Sequence, residues 1–327
     1  MNFEATEKIA AAILYEGYIL YPYRPTAIKN RQRWNFGTLY PHIYAEQQRP
    51  AEPFSLTAEC LAIAGADAAL DVRISFLQLV PPQQAKSAEL TDPSLAWDEA
   101  VERCSEQTNL RIHNLLASSF HQSIHIAADR LPEDRSEDPR LDLQAVLIIS
   151  AEQLGDGSCR LHLEVTNETP LPSGAAATRA EALPRSLVSA HVLLGIERGS
   201  FISLLDPEEP YSASAAACRN SGVFPVLTGE ATDRSLLLCS PIILYDYPQI
   251  APESEGDFFD GTEMDEMLTL RVLTLTDAEK QEMRDGDPRA RKILERTESL
   301  TADSMLKAHG IIRSMRDIRR DIPGGAR

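Results

Sequence analysis

No apolar run in this chain approaches the roughly 20 residues that a membrane-spanning helix needs, so a helical membrane protein is excluded by its sequence. The N-terminus, MNFEATEKIAAAILYEG, places acids before its short apolar stretch and has no basic n-region and no small-residue cleavage site. It therefore does not read as a secretory signal, and a cytoplasmic protein is expected. No glycine-rich phosphate loop, no HExxH and no G-x-S-x-G elbow occurs, which removes the common signatures of phosphate-loop nucleotidases, zinc proteases and α/β-hydrolases. The five cysteines, Cys60, Cys104, Cys159, Cys218 and Cys239, are scattered without a close pair. Such scatter argues against a zinc ribbon or an iron–sulfur cluster and for reduced, mostly buried thiols. Positive charge is also scarce: 32 Lys and Arg face 49 Asp and Glu, a net charge of −17. An acidic surface repels phosphate backbones, so nonspecific nucleic-acid binding is disfavoured.

What is present is strand pattern. Leu70, Val72, Ile74 and Phe76 alternate with Asp71, Arg73 and Ser75, the period of a half-buried strand. Alternation returns at Leu110 and Ile112, at Ile124 and Ile126, and over residues 141–149 and 160–166, the last two joined by Leu154-Gly-Asp-Gly, a good hairpin turn. Apolar runs at 187–196 and 236–245 complete seven or eight strands. Helices are expected at residues 7–14, at 94–106 after Asp92-Pro93, and after 276, where Thr276-Asp-Ala-Glu279 forms a capping box and Asp287-Pro288 restarts the pattern. The resulting fold class is α+β, mainly β: an antiparallel β-sandwich body with a short N-terminal helix and C-terminal helices. Residues 1–53 form an N-terminal helix and a basic aromatic segment packed on the body. Residues 54–275 form the body, and residues 276–327 a helical segment with a basic tail.

Two stretches carry unusual charge. Between the apolar run ending at Tyr245 and a second strand-like run from Met267 lies a loop, 253–266, with seven carboxylates and no base. Residues 21–42 hold Arg24, Lys29, Arg31 and Arg33 with no acid, interleaved with Tyr23, Trp34, Phe36 and Tyr40. Arginine suits bidentate carboxylate recognition, so the two stretches are expected to meet in one composite surface. The candidate partner-binding residues are Arg24, Lys29, Asn30, Arg31, Arg33, Trp34, Tyr245, Asp257, Asp260, Glu263, Asp265 and Glu266. The carboxylates are hard oxygen ligands suited to Mg²⁺ but do not follow an EF-hand template. In the spacing His113, His121 and His125, the last two could share a zinc on a helix but would lie too far apart on a strand, which their surroundings favour. No catalytic residue, metal ligand or cofactor is assigned.

The segments ILYEGYILYPYRPTAIKNRQRWNFG, SPIILYDYPQIAPESEGDFFDGTEMDEMLTLR and LTDAEKQEMRDGDPRAR resemble an uncharacterised protein family associated with bacterial nickel–iron hydrogenase gene clusters. The resemblance spans both ends of the chain. It implies an accessory or assembly role beside a hydrogenase and supplies no catalytic residue. The function expected is therefore a non-enzymatic accessory or scaffold protein, its partner a hydrogenase subunit or maturation factor. The alternative is a Mg²⁺-dependent hydrolase whose carboxylate loop holds the metal while Arg24, Arg31 or Arg33 receives an anionic substrate. A third and weaker reading is an RNA-binding module on the basic aromatic stretch. The cysteine spacing makes its own prediction: denatured protein prepared anaerobically titrates five reactive thiols, and a lower count would mean a disulfide or a bound cluster.

Overall fold

The computed structural model describes residues 1–15, 21–23, 27, 30, 34, 36–80, 99–127, 141–172, 177–249, 265–285 and 288–299. Its centre is one strand, β1 (Ser55–Val80), which is 26 residues long. The other strands are β2 (Glu99–Arg111), β3 (Phe120–Ile126), β4 (Leu143–Gln153), β5 (Cys159–Asn167), β6 (Val188–Ile202), β7 (Phe224–Leu227) and β8 (Leu236–Ser240). All pairings are antiparallel, in the order β3-β4-β5-β1-β6-β8-β7, with β2 pairing β1 off that path. The first half of β1 lies against β5 and its second half against β2, while β6 runs along the opposite side. A break in register between Ala64 and Ala69 bends β1 between those halves, where small residues let the backbones close up. Opposite it, a Cβ on Gly199 would stand 2.9 Å from the Ile63 carbonyl oxygen.

The antiparallel, mainly β reading holds, but the expected sandwich is instead one nearly closed, barrel-like sheet. Its interior takes the even positions of β1 and β6 and the odd positions of β4 and β5, as period-two geometry requires. A short helix, Ile112–Ala117, sends Ile112 and Leu115 into the same core. Three local readings are corrected. The helix expected over 94–106 is strand from Glu99 onward. Its residues alternate between exposed Glu102, Cys104 and Glu106 and half-buried Val101, Arg103 and Ser105, a period of two that a few apolar residues at helical spacing had masked. Ile112 opens a helical turn and does not continue a strand. The run from Met267 is the helix Asp265–Leu273, because Leu268, Val272 and Leu275 bury one face at helical spacing.

β6 is buried on both faces from Val188 to Ile196, so its outer face needs a cover. One part of that cover is α1 (Glu4–Leu14). Phe3, just before it, and Ala10 pack on Leu193 and on β7 and β8. Arg73 on β1 pairs with Glu7 of α1 and Glu106 of β2, with its guanidinium over the Phe3 ring. Leu77, Leu79 and Val188 form a second cluster with Leu14, Tyr23, Trp34, Tyr40 and Tyr44 and with the C-terminal helices. Those helices are Asp265–Leu273, Asp277–Asp285, opened by the expected Thr276–Glu279 capping box, and Pro288–Ser299. Both ends of the chain therefore close over the same outer face.

Beneath that cover lies His191, fully buried. Its Nδ1 stands 2.6 Å from the Ser189 carbonyl oxygen, which can only accept, so Nδ1 carries the proton. Nε2 has no partner among the described residues. Burial pushes the imidazole pKa down from 6.5 to about 4, against the smaller opposing pull of that carbonyl. The folded state thus resists a proton that the unfolded chain accepts. Stability is present in full above pH 6.5 and is lost as pH falls toward 4, by up to about 3 kcal/mol. In chemical denaturation against pH, His191→Leu should remove this component between pH 6.5 and 4 and leave the carboxylate-dependent loss at lower pH; unchanged curves would place the ring in water.

Candidate functional site

The residues following β8 form the most exposed apolar feature among the described residues. Ser240 ends the strand with a local turn, its hydroxyl donating to the Ile242 carbonyl oxygen (2.9 Å) and accepting from the Ile242 amide (3.0 Å). Pro241 is seated against Gly37, where a Cβ would come within 2.6 Å of its ring and where φ is +54°. Only glycine suits that position. Five residues after Pro241 the chain is held again. Asp246 accepts from the Leu227 amide at 2.8 Å through one carboxylate oxygen and from the Ser203 hydroxyl through the other. The Tyr247 amide then donates to the Leu227 carbonyl oxygen at 2.7 Å.

Between these two anchors the side chains alternate. Leu244 packs down on the cluster formed by Phe3, Leu193, Val226 and Leu238. Ile243 and Tyr245 point the other way and are 79% and 86% exposed. The arch also occupies the free edge of β7: Leu227, whose amide and carbonyl would otherwise face water, is satisfied on that side by Asp246 and Tyr247. An edge-closing element thus presents two large apolar side chains outward on a fixed backbone.

Neighbouring loops are tied to the arch. The Ser203 hydroxyl also accepts from the Leu205 and Asp206 amides, at 3.1 and 2.9 Å, which brings the half-exposed Leu205 beside it. Arg234, in the turn between β7 and β8, bonds Glu208 at 2.7 Å and also reaches Tyr247. Two neighbouring loops are therefore joined to the arch at Asp246 and Tyr247.

Of the residues expected to bind a partner, Tyr245 is in this arch. Trp34 and Asn30 are only 3% and 4% exposed, so their side chains serve the core and cannot reach a partner. Arg24, Lys29, Arg31, Arg33, Asp257, Asp260 and Glu263 lie outside the described residues, as do the side chains of Asp265 and Glu266. The segments that bracket the two charged stretches do meet, since Tyr23 and Trp34 share a cluster with Leu268 and Val272, and Arg271 lies over the Tyr21 ring. Ile243 escaped the sequence reading because the run from 236 to 245 looks like one strand; Ser240-Pro241 was the signal that it ends.

The other features among the described residues assemble less. A cavity of about 300 Å³ between α1 and the sheet is lined by Glu7, Leu14, Arg73, Ser75, Cys104 and neighbours. Register aligns His191, Ser75 and Cys104 across β6, β1 and β2, yet no hydrogen bond joins them among the described residues, and the imidazole is sealed beneath the cover. His113 sits on a helical turn while His121 and His125 are exposed on β3, about 13 Å apart along the strand. Among the described residues, no group of three or more His, Cys, Asp or Glu is placed to hold a metal ion. The chain matches no protein-family model and no curated protein.

Asp246 is the arch's main anchor, and hydrogen bonds to a charged group are worth about 1.5–3 kcal/mol each. Asp246→Ala should lower stability by about 2–3 kcal/mol in denaturant titration and expose Tyr245 to chymotrypsin. Asp246→Asn, which keeps the shape, should do less of both. Equal cleavage in all three proteins would show that the arch is not held there.

Proposed function

We propose that this protein is a non-enzymatic accessory or scaffold protein that binds a protein partner through the arch at residues 241–247. The observation that carries the reading is the outward presentation of Ile243 and Tyr245 on a backbone anchored at both ends. Aromatic side chains in such settings dominate binding energy, and a prearranged backbone reduces the ordering cost of association. The resemblance to the hydrogenase-associated family supplies the partner class: a nickel–iron hydrogenase subunit or maturation factor, met in the cytoplasm. Among the described residues no helix is long and apolar enough to cross a membrane. The Mg²⁺-dependent hydrolase draws on carboxylates outside the described residues and gains no support from the described ones.

Affinity purification from the native host tests the reading. The wild-type chain should retain a hydrogenase subunit or maturation factor, and the pair Ile243→Ser with Tyr245→Ala should lose it by about tenfold or more. Because both side chains are exposed, melting temperature should stay unchanged. Equal retention by the variant would move the interface elsewhere, and the absence of any such partner would remove the hydrogenase assignment.

A further inference from the structure

We infer that the partner of the arch presents a concave apolar pocket rimmed by lysine and arginine. The inference rests on the reading of the arch as a partner-binding element and specifies the surface that fits it.

Shape supplies the first half. Ile243 and Tyr245 project from the sheet edge as a knob. A projecting apolar pair is desolvated only by a surface that closes around it, so the complement is a pocket and not a flat face.

Charge supplies the second half. In residues 203–211, 228–235 and 241–249, the arch and the loops tied to it through Asp246 and Tyr247, six carboxylates stand against one base, Arg234. Asp206, Glu208, Glu209 and Glu230 are exposed, whereas Arg234 is engaged by Glu208. Asp206 and Glu209 make no hydrogen bond or ion pair through their side chains among the described residues. An apolar knob inside an anionic ring selects cationic surroundings and repels phosphate-rich ones, which sets nucleic acid and anionic lipid aside. A second copy of this chain would set two such rings against each other, so self-association through this face is also disfavoured.

Photo-crosslinking in the native host tests the inference with the whole chain, using p-benzoylphenylalanine in place of Tyr245 as the probe and in place of the exposed Ile43, outside residues 241–247, as the control. The expected result is a crosslink to a protein segment lined with Lys and Arg. Its yield should fall at least about fivefold in Asp206→Lys with Glu209→Lys, and likewise in extracts raised to high salt. A crosslink to an acidic or uncharged segment, to a second copy of this chain, or one indifferent to both the rim substitutions and salt, overturns the inference while leaving the arch as an interface. No protein adduct above that of the control position overturns the partner-binding reading itself, and the inference with it.

Discussion

The structure turns on a strand pair that is apolar on both faces. From Val188 to Ile196 every residue of β6 is buried, and the second half of β1 beside it contributes Leu77 and Leu79 outward as well as Ile74 and Phe76 inward. A closed sheet buries only the inward set. Leaving the outward set in water would cost about 25 cal/mol for each Å² of apolar surface, so the chain must supply a second layer. It does so from its two ends: α1 over Leu193, and the Tyr23–Tyr44 region with the C-terminal helices over Leu77, Leu79 and Val188. Arg73 fixes the first of these, since a half-buried guanidinium there needs carboxylates on both sides and finds them in Glu7 and Glu106. His191 follows from the same requirement. An imidazole on the covered face has to remain neutral, and its single proton is committed to the Ser189 carbonyl oxygen.

The sheet's β7 edge imposes a second constraint. An uncovered four-residue edge strand would offer unpaired backbone groups to other chains. The segment after β8 answers this by turning back along β7, and the geometry of that return decides which side chains it exposes. With Ile242 held by the Ser240 hydroxyl and Asp246 as the second anchor, the middle residue, Leu244, is directed onto the apolar cluster. Extended backbone then sends its two neighbours outward. The exposure of Ile243 and Tyr245 is thus a consequence of closing the edge with an extended segment. What that closure does not require is that the two outward residues be large and apolar; serine or lysine would serve the edge equally well.

Individual strands, though not their closure into a barrel, were legible wherever one face of a strand is polar. Leu70 to Phe76 and the Leu154-Gly-Asp-Gly hairpin fall where alternation and turn chemistry put them, because half-buried strands write their orientation into the sequence. The doubly buried β6 carries no alternation, so neither its two-layer surroundings nor the burial of His191 could be read from it. The segment Met267 to Leu273 has apolar residues enough for strand or helix, and only its packing on Tyr23 and Trp34, more than 200 residues earlier in the sequence, decides for helix. Trp34 shows the reverse limit: its neighbours Arg31 and Arg33 suggested a surface, yet long-range contacts bury the ring. Tyr245 was named as the end of the apolar run that precedes the acidic loop. Its role in the arch depends on Ser203, some 40 residues away, which no local pattern connects to it.

Why the arch is better suited to recognition than to chemistry follows from the groups it holds. Asp246 uses both carboxylate oxygens to hold the backbone at Leu227 and the Ser203 hydroxyl. Arg234 is engaged by Glu208 and Tyr247. The polar groups of this region therefore act on the backbone, and what they leave outward is apolar. Immobilising a rotamer-rich side chain on association costs about 0.5–1.5 kcal/mol, and a mobile loop would add the ordering of its backbone to that. Here the backbone ordering is already met within the fold, by hydrogen bonds that also close the sheet. Under the proposed reading, affinity draws on stability: whatever weakens the β7 edge loosens the arch, so the integrity of the barrel and the proposed recognition of a partner depend on the same few atoms of Leu227, Ser203 and Asp246.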